Sequence, residues 1–251
     1  MRDAEKHMSE KDMRYKIPVN LTMYNARGAF YPAAIQRMAV DMIETHLEKL
    51  GMDAPRLMQE YGLSWVLLSF SAELRQPFSP SETYTAKTWH THAKPPVFRR
   101  DFAIFDAAER ITAVGATFST LLNVKTRRLC LDRALLNRFC LPDGEALLEA
   151  DHRFSAAVAF AETERRHVRP SWLDGVGHVN NLRYAEFAYD ALDEAERRRA
   201  DRLRRMDVWF QTELTEGTEF SMEKAAEGEA LLLRGVIRPS GKPAFIVRLE
   251  C

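Results

Sequence analysis

Residues 32–51 read PAAIQRMAVDMIETHLEKLG. Ile35, Met38, Ala39, Met42, Ile43, Leu47 and Leu50 recur along this stretch at helical spacing, which predicts one long amphipathic helix ending at Gly51. Pro32 suits its first turn, where the missing N–H costs little. The chain then changes period. Strand-like runs follow at Trp65–Leu74, Thr83–Thr91, Phe98–Phe105 and Ala113–Leu122, separated by the turn chemistry of PFSPSE, AKPP and FDAAER. A long helix followed by an antiparallel meander is an α+β unit.

The same order returns in the second half. The polar stretch ERRHVRPSW leads into a helix expected over residues 181–199, with Leu182, Ala185, Ala188, Tyr189 and Leu192 on one stripe. Strands are expected next at Val208–Leu214, Ala230–Arg238 and Ala244–Glu250, turning at EGTE and PSGKP. The chain therefore reads as one supersecondary unit used twice: residues 14–134, a connector over 135–162, and residues 163–251. A sheet wrapped around one helix leaves a sheet edge and an apolar face uncovered. Two copies side by side remove both problems, so the expectation is an intramolecular pseudo-dimer. A further pairing of two chains as a homodimer stays compatible with it.

Composition narrows the class. Lys plus Arg equals Asp plus Glu at 36 each among 251 residues, so no global charge points to nucleic acid or an anionic membrane. The basic stretches also lack an aromatic stacking platform. No apolar run approaches the roughly 20 residues of a membrane span, and MRDAEKHMSEKDMR lacks the apolar core of a secretory signal. Cys130, Cys140 and Cys251 have no metal-type spacing and read as free thiols, so a cytoplasmic setting is expected. His90-Thr-His92 puts two imidazoles on one strand face without a third ligand nearby, so no metal is expected. Nucleotide-binding glycine loops, G-x-S-x-G and H-E-x-x-H are absent from the sequence.

The chemistry concentrates in PSWLDGVGHVNNLRYAEFAY, residues 170–189. Asp174 and His178 lie in a loop that feeds a helix N-terminus, with Asn180 or Asn181 as candidate N-cap. Unpaired N–H groups and partial positive charge at such an end suit an oxyanion or a carbonyl oxygen. Gly175 and Gly177 permit unusual dihedrals or close approach to a ligand. On composition alone, D-G-x-G and two Asn before a helix are also ordinary turn and cap residues. In the first half, NARGAFYP occupies the matching place without the His and without the Asn pair, so one site per chain is expected.

G-H-V-N-N with Tyr184 following, and an Asp at position 174, resembles the signature of hot-dog thioesterases. Trp65-Val66-Leu67-Leu68, Thr88-Trp89, Arg99-Arg100-Asp101-Phe102 and Asn123 through Leu129 occur in the order of acyl-(acyl carrier protein) thioesterases. The resemblance covers roughly residues 15–250 and implies a double hot-dog fold. It also implies hydrolysis of fatty acyl thioesters on acyl carrier protein, in fatty acid biosynthesis. No cofactor of the enzyme's own is implied, because the substrate carries the phosphopantetheine. Asp174, His178 and Glu213 fall on positions the family places at its active site, Asp174 as nucleophile or general base. Two positions depart from the plant-type pattern. Val176 stands where those members carry Asn, and Leu214 where some carry Cys. The Asp-Gly-Val-Gly-His spacing is closer to the hydroxybenzoyl-CoA-type loop.

Several expectations follow from this reading. Asp174 activates water or attacks directly, with Glu213 as the second candidate base. Backbone N–H groups around Gly177 to Asn180 polarise the carbonyl, and Asn181 adds to the binding surface. Met38, Met42 and Trp65 are candidate acyl-pocket walls. Arg127 and Arg128, with Arg198 and Arg202 in the basic run 196–205, form a candidate docking patch for an acidic carrier protein. The same residues also support a CoA-thioesterase reading, and Val176 leaves room for a non-catalytic acyl- or carrier-binding protein.

Overall fold

The computed structural model describes residues 12–94, 96–139 and 142–251. The first half runs β1 (Tyr15–Pro18), α1 (Pro32–Lys49), α2 (Ala54–Tyr61), β2 (Leu63–Leu74), β3 (Thr83–Lys94), β4 (Val97–Phe105) and β5 (Ile111–Asn123). After α3 (Arg133–Phe139) and an irregular connector come β6 (Ala161–His167), α4 (Arg183–Asp190) and α5 (Glu194–Ala200). The chain ends with β7 (Arg205–Phe210), β8 (Glu219–Glu227), β9 (Ala230–Ile237) and β10 (Pro243–Glu250).

All ten strands form one antiparallel sheet in the order β1-β3-β4-β5-β2-β7-β10-β9-β8-β6. The order is a palindrome of two five-strand units that meet where β2 pairs with β7, from Ser69↔Trp209 to Glu73↔Arg205. This seam joins the duplicated units through backbone hydrogen bonds, and the mixed helix-and-sheet architecture is the double hot-dog expected from the repeat. α1 buries Ile35, Met38, Ala39 and Met42 against the sheet and packs on α4 across the seam. The connector crosses the opposite sheet face and ties both halves down. Asp151 O accepts from Ser69 Oγ at 3.2 Å and from Trp209 Nε1 at 3.2 Å, and Glu145 O accepts from Trp89 Nε1 at 3.1 Å.

Several elements depart from the sequence reading. The expected helix 181–199 is two helices. Asp193 accepts from the Glu196 N–H while Glu196 accepts from the Asp193 N–H, a capping box that restarts the helix at Glu194. The first four residues of the stretch read as a polar lead-in, Glu164 to His167, belong to edge strand β6. Its charges suit an edge, because solvated Glu and Arg side chains deter pairing with another sheet. β1, β8 and α2 were also unexpected, although Asp53 caps α2 by accepting from the Arg56 N–H. β7 stops at Phe210, so Glu213 lies in the following loop rather than on the strand face expected for it.

Candidate active site

Two loops, one per half, are built on the same bonds. In the second half a 3₁₀ turn (Pro170–Trp172) leads to Asp174, whose Oδ1 accepts from the Val176 N–H at 2.9 Å and the His178 N–H at 3.3 Å. The Asp174 N–H donates to His178 O at 2.8 Å and the Gly177 N–H to Asp174 O at 3.1 Å. In the first half a 3₁₀ turn (Leu21–Met23) leads to Asn25, whose Oδ1 accepts from the Arg27 N–H at 2.9 Å and the Ala29 N–H at 3.0 Å. Asn25 N–H donates to Ala29 O at 2.8 Å and Gly28 N–H to Asn25 O at 2.9 Å. Gly177 and Gly28 both adopt positive φ, 85° and 77°, which the turn requires. Asp174, His178, Asn180 and Asn181 thus correspond to Asn25, Ala29, Tyr31 and Pro32.

The surroundings of the two loops differ. Asn25 Nδ2 donates to Asp201 Oδ1 at 2.7 Å and to the Tyr189 hydroxyl at 3.1 Å. Arg27 clamps Asp201 through two bonds of 2.6 and 2.7 Å, and this pairing holds the Asp201 carboxyl below the usual carboxylate range. The first-half loop is therefore tied to the end of α5. Asp174 instead opens on a cleft of about 980 Å³ between α1, α2 and the helix-facing side of the first-half sheet. Asn180, Asn181 and Leu182 complete the wall contributed by the second half, and Trp65, Leu67, His90, Arg100, Thr117 and Ser119 line the sheet side.

The N–H groups expected to polarise a carbonyl are spent within the protein. Gly177 and His178 donate to Asp174, Val179 to Leu214 O at 2.8 Å, and Asn180 to Trp172 O at 2.9 Å. Neither Asn side chain is the helix cap expected from the sequence. The N-cap residue of α4 is Leu182, and Asn180 Oδ1 accepts from its N–H at 3.0 Å. Among the described residues the Asn181 N–H has no protein acceptor. The first-half loop has Pro32 at that place, with no N–H to offer. Neighbouring Tyr184 is buried and stacked on Phe245, and burial raises its hydroxyl well above the ordinary range.

The other sequence candidates separate into groups. His178 Nε2 lies 3.4 Å from Glu213 Oε2, and Glu213 also pairs with Arg127, so these three form a chain on the outer side of the loop rather than in the cleft. Trp65 lines the cleft and anchors its Nε1–H on Met52 O at 3.0 Å. Met38 and Met42 do not line it, because the inward stripe of α1 carries them into the main core. Gly177 shapes the loop without touching the cleft, and Val176 projects from the exposed loop tip. The docking arginines are split as well. Arg127 pairs with Glu213, and Arg128 follows it in the chain as an exposed residue, whereas Arg198 pairs with Glu194 on α5, and Arg202 follows at the helix end next to Asp201, where Arg27 is clamped. His90 is buried against Arg100, Nδ1 to Nη2 at 2.9 Å, while the side chain of His92 and all of Cys140 lie outside the described residues. Among the described residues no group of three or more His, Cys, Asp or Glu side chains is arranged to hold a metal, and no helix is long and apolar enough to cross a membrane.

The family model of the acyl-ACP thioesterase N-terminal domain matches residues 10–131, and that of the C-terminal domain matches residues 156–243. The chain belongs to the acyl-ACP thioesterase family. As a member it is a thioester hydrolase acting on acyl groups carried by acyl carrier protein. Comparison with curated sequences gave no match. Among solved structures, an acyl-ACP thioesterase from Bacteroides thetaiotaomicron superposes with a TM-score of 0.84 at 18% identity, covering 97% of this chain and 99% of that one. The 12:0-ACP thioesterase from Umbellularia californica superposes with a TM-score of 0.75 at 16% identity, covering 95% and 96%. At these identities the likeness is one of fold. The paired domains of this thioesterase correspond to the two halves of the sheet.

Proposed function

We propose that this thioesterase hydrolyses fatty acyl-carrier thioesters at a single site formed by Asp174, Asn180 and Asn181, with the acyl chain held in the first-half cleft. Asp174 Oδ1 is committed to two loop N–H groups, and Oδ2 takes a proton from a water. The hydroxide adds to the thioester carbonyl, and the Asn181 N–H accepts the developing oxyanion as a hydrogen-bond donor. The C–S bond then breaks, and the phosphopantetheine sulfur leaves as a thiol with the proton Asp174 held. Tethered to Glu213, His178 orients the arriving pantetheine arm, and Glu213 acts through His178 rather than as a base. None of these steps calls on a metal or on a cofactor of the enzyme.

The observation that carries this reading is the contrast between two loops of one construction. One loop has a carboxylate, a free N–H and an open cleft. Its copy has an amide, a proline and a salt-bridged plug. Arg127, paired with Glu213, and Arg128, next to it in the chain, supply the docking charge for an acidic carrier in a cytoplasmic fatty acid synthesis setting. Thiol release from dodecanoyl-carrier and dodecanoyl-CoA tests the reading. Turnover should favour the carrier substrate, and that advantage should shrink with added salt and in the Arg127→Ala/Arg128→Ala variant. Absence of turnover on both would overturn the hydrolase site, and equal turnover on both would overturn the docking role.

A further inference from the structure

An acyl pocket that held only hydrocarbon would be lined by hydrocarbon, and this cleft is not. On β4 the helix-facing positions are Phe98, Arg100, Phe102 and Ile104, all buried, so a guanidinium sits in an otherwise apolar row. Across the sheet Arg100 pairs with His90 on β3 and Thr117 on β5, and all three line the cleft. Ser119, two positions from Thr117 on the same face, lines it too. Placing such groups inside a protein costs free energy, more for a charge than for a hydroxyl, so a fold retains them for a reason.

The duplicated half shows that the fold does not demand them. The cross-strand pairs Ile104↔Ala113 and Gly235↔Phe245, each followed by the same register shift, occupy matching places in the two units, which aligns β4 with β9 and β5 with β10. Arg100 then corresponds to Leu231 and Thr117 to Leu249, which are paired with each other and buried in the main core. The same row is hydrocarbon where it is packed shut and polar where it faces the cleft.

Resting on the acyl-thioester reading above, we propose that His90, Arg100, Thr117 and Ser119 form a subsite for a hydrogen-bond-accepting oxygen on the acyl chain. The preferred substrate is thus an oxygenated acyl thioester, bearing a hydroxyl, keto or terminal carboxylate group, rather than a plain saturated one. Arg100 and the Ser119 hydroxyl donate to that oxygen, the Thr117 hydroxyl, which donates to Arg100 O at 3.4 Å, completes the polar wall, and the position of the oxygen along the chain sets the register of the thioester at Asp174.

The test is a thiol-release panel on the full chain with decanoyl-, 3-hydroxydecanoyl-, 3-ketodecanoyl- and 9-carboxynonanoyl-carrier. Calorimetric binding of the four free acids runs in parallel. At least one oxygenated thioester should exceed decanoyl in kcat/KM by about tenfold or more, and its acid should bind correspondingly tighter. Arg100→Leu/Thr117→Leu, which copies the Leu231–Leu249 pair of the other half, should lower that ratio by about tenfold. His90→Gln and Thr117→Val singly should lower it in part. Decanoyl preferred by the native chain, with decanoic acid bound at least as tightly, would overturn the subsite whether or not the variants fold. A folded double variant with an unchanged ratio would overturn it as well. If no thioester is turned over but an oxygenated acid binds tighter than decanoic acid, the hydrolytic reading falls and the subsite stands.

Discussion

Replacing Asp174 with Asn separates catalysis from architecture more cleanly than most active-site substitutions, because the molecule already contains the control. Asp174 Oδ1 accepts two loop N–H groups, at 2.9 and 3.3 Å, and an amide oxygen can accept both. Asn25 does so in the first half, at 2.9 and 3.0 Å, with the same backbone bonds around it. The structural cost of Asp174→Asn is therefore small, below about 0.5 kcal/mol and about 2 °C in Tm for a domain of this size. What disappears is the proton acceptor at Oδ2. General-base catalysis contributes about 10²–10⁴-fold, which is about 2.7–5.5 kcal/mol of transition-state stabilisation. Steady-state thiol release on an acyl-carrier substrate, with circular dichroism melts alongside, should show kcat reduced within that range at little change in KM. A folded Asp174→Asn protein with kcat within about threefold of the native value would refute the assignment of the base.

Four further outcomes follow from the geometry. Asn181→Pro, which copies Pro32, removes the N–H assigned to the oxyanion and should lower kcat by about 10²–10³-fold; a drop below tenfold would mean that another donor serves the carbonyl. His178→Ala and Glu213→Gln should raise KM for carrier-linked substrate more than they lower kcat, and a pure kcat loss would give His178 a chemical role instead. Gly115→Ala would bring a Cβ within 2.4 Å of the Ser71 carbonyl oxygen and 2.2 Å of the Phe102 ring, so chemical denaturation should show a loss of about 1–3 kcal/mol. Asp201 has a folded-state pKa below its unfolded value, so the Arg27–Asp201 clamp contributes fully above about pH 4 and is lost as pH falls through the folded value. Arg27→Met should therefore be less stable at pH 7 and lose less stability between pH 5 and pH 3; parallel pH curves for the two proteins would remove that role.

The duplication was legible because α1 and the paired meanders carry strong apolar periods, and the palindromic sheet follows from them. The edge strands were not. β6 reads AETERRH, whose exposed charges leave no alternating apolar signal even though every residue but Thr163 pairs with β8. The break between α4 and α5 had a visible mark in Asp193 and Glu196, overridden by the apolar stripe through Leu192. At the site, the sequence singled out Asp174 and the Asn pair, which the structure brings to one cleft, and led to an expectation of free amides from Gly177 to Asn180, which the structure shows bonded within the protein. Where an N–H points is settled by tertiary pairing, such as Val179 to Leu214 and Asn180 to Trp172, which no local pattern encodes. The polar floor of the cleft did carry a signal. Arg100 falls in the period-two row of Phe98 and Phe102, and an arginine in a buried row marks a place where the strand serves something other than packing.

The most direct measurement is a crystal structure of the full chain with a non-hydrolysable amide analogue of an acyl-pantetheine, in which NH replaces the thioester sulfur. The acyl chain should lie between α1 and the His90–Arg100–Thr117 row, with the carbonyl oxygen about 3 Å from the Asn181 nitrogen and Asp174 Oδ2 facing the carbonyl carbon. An acyl chain seated away from the cleft between α1, α2 and the first-half sheet, or a carbonyl turned away from the loop of residues 174–182, would contradict it.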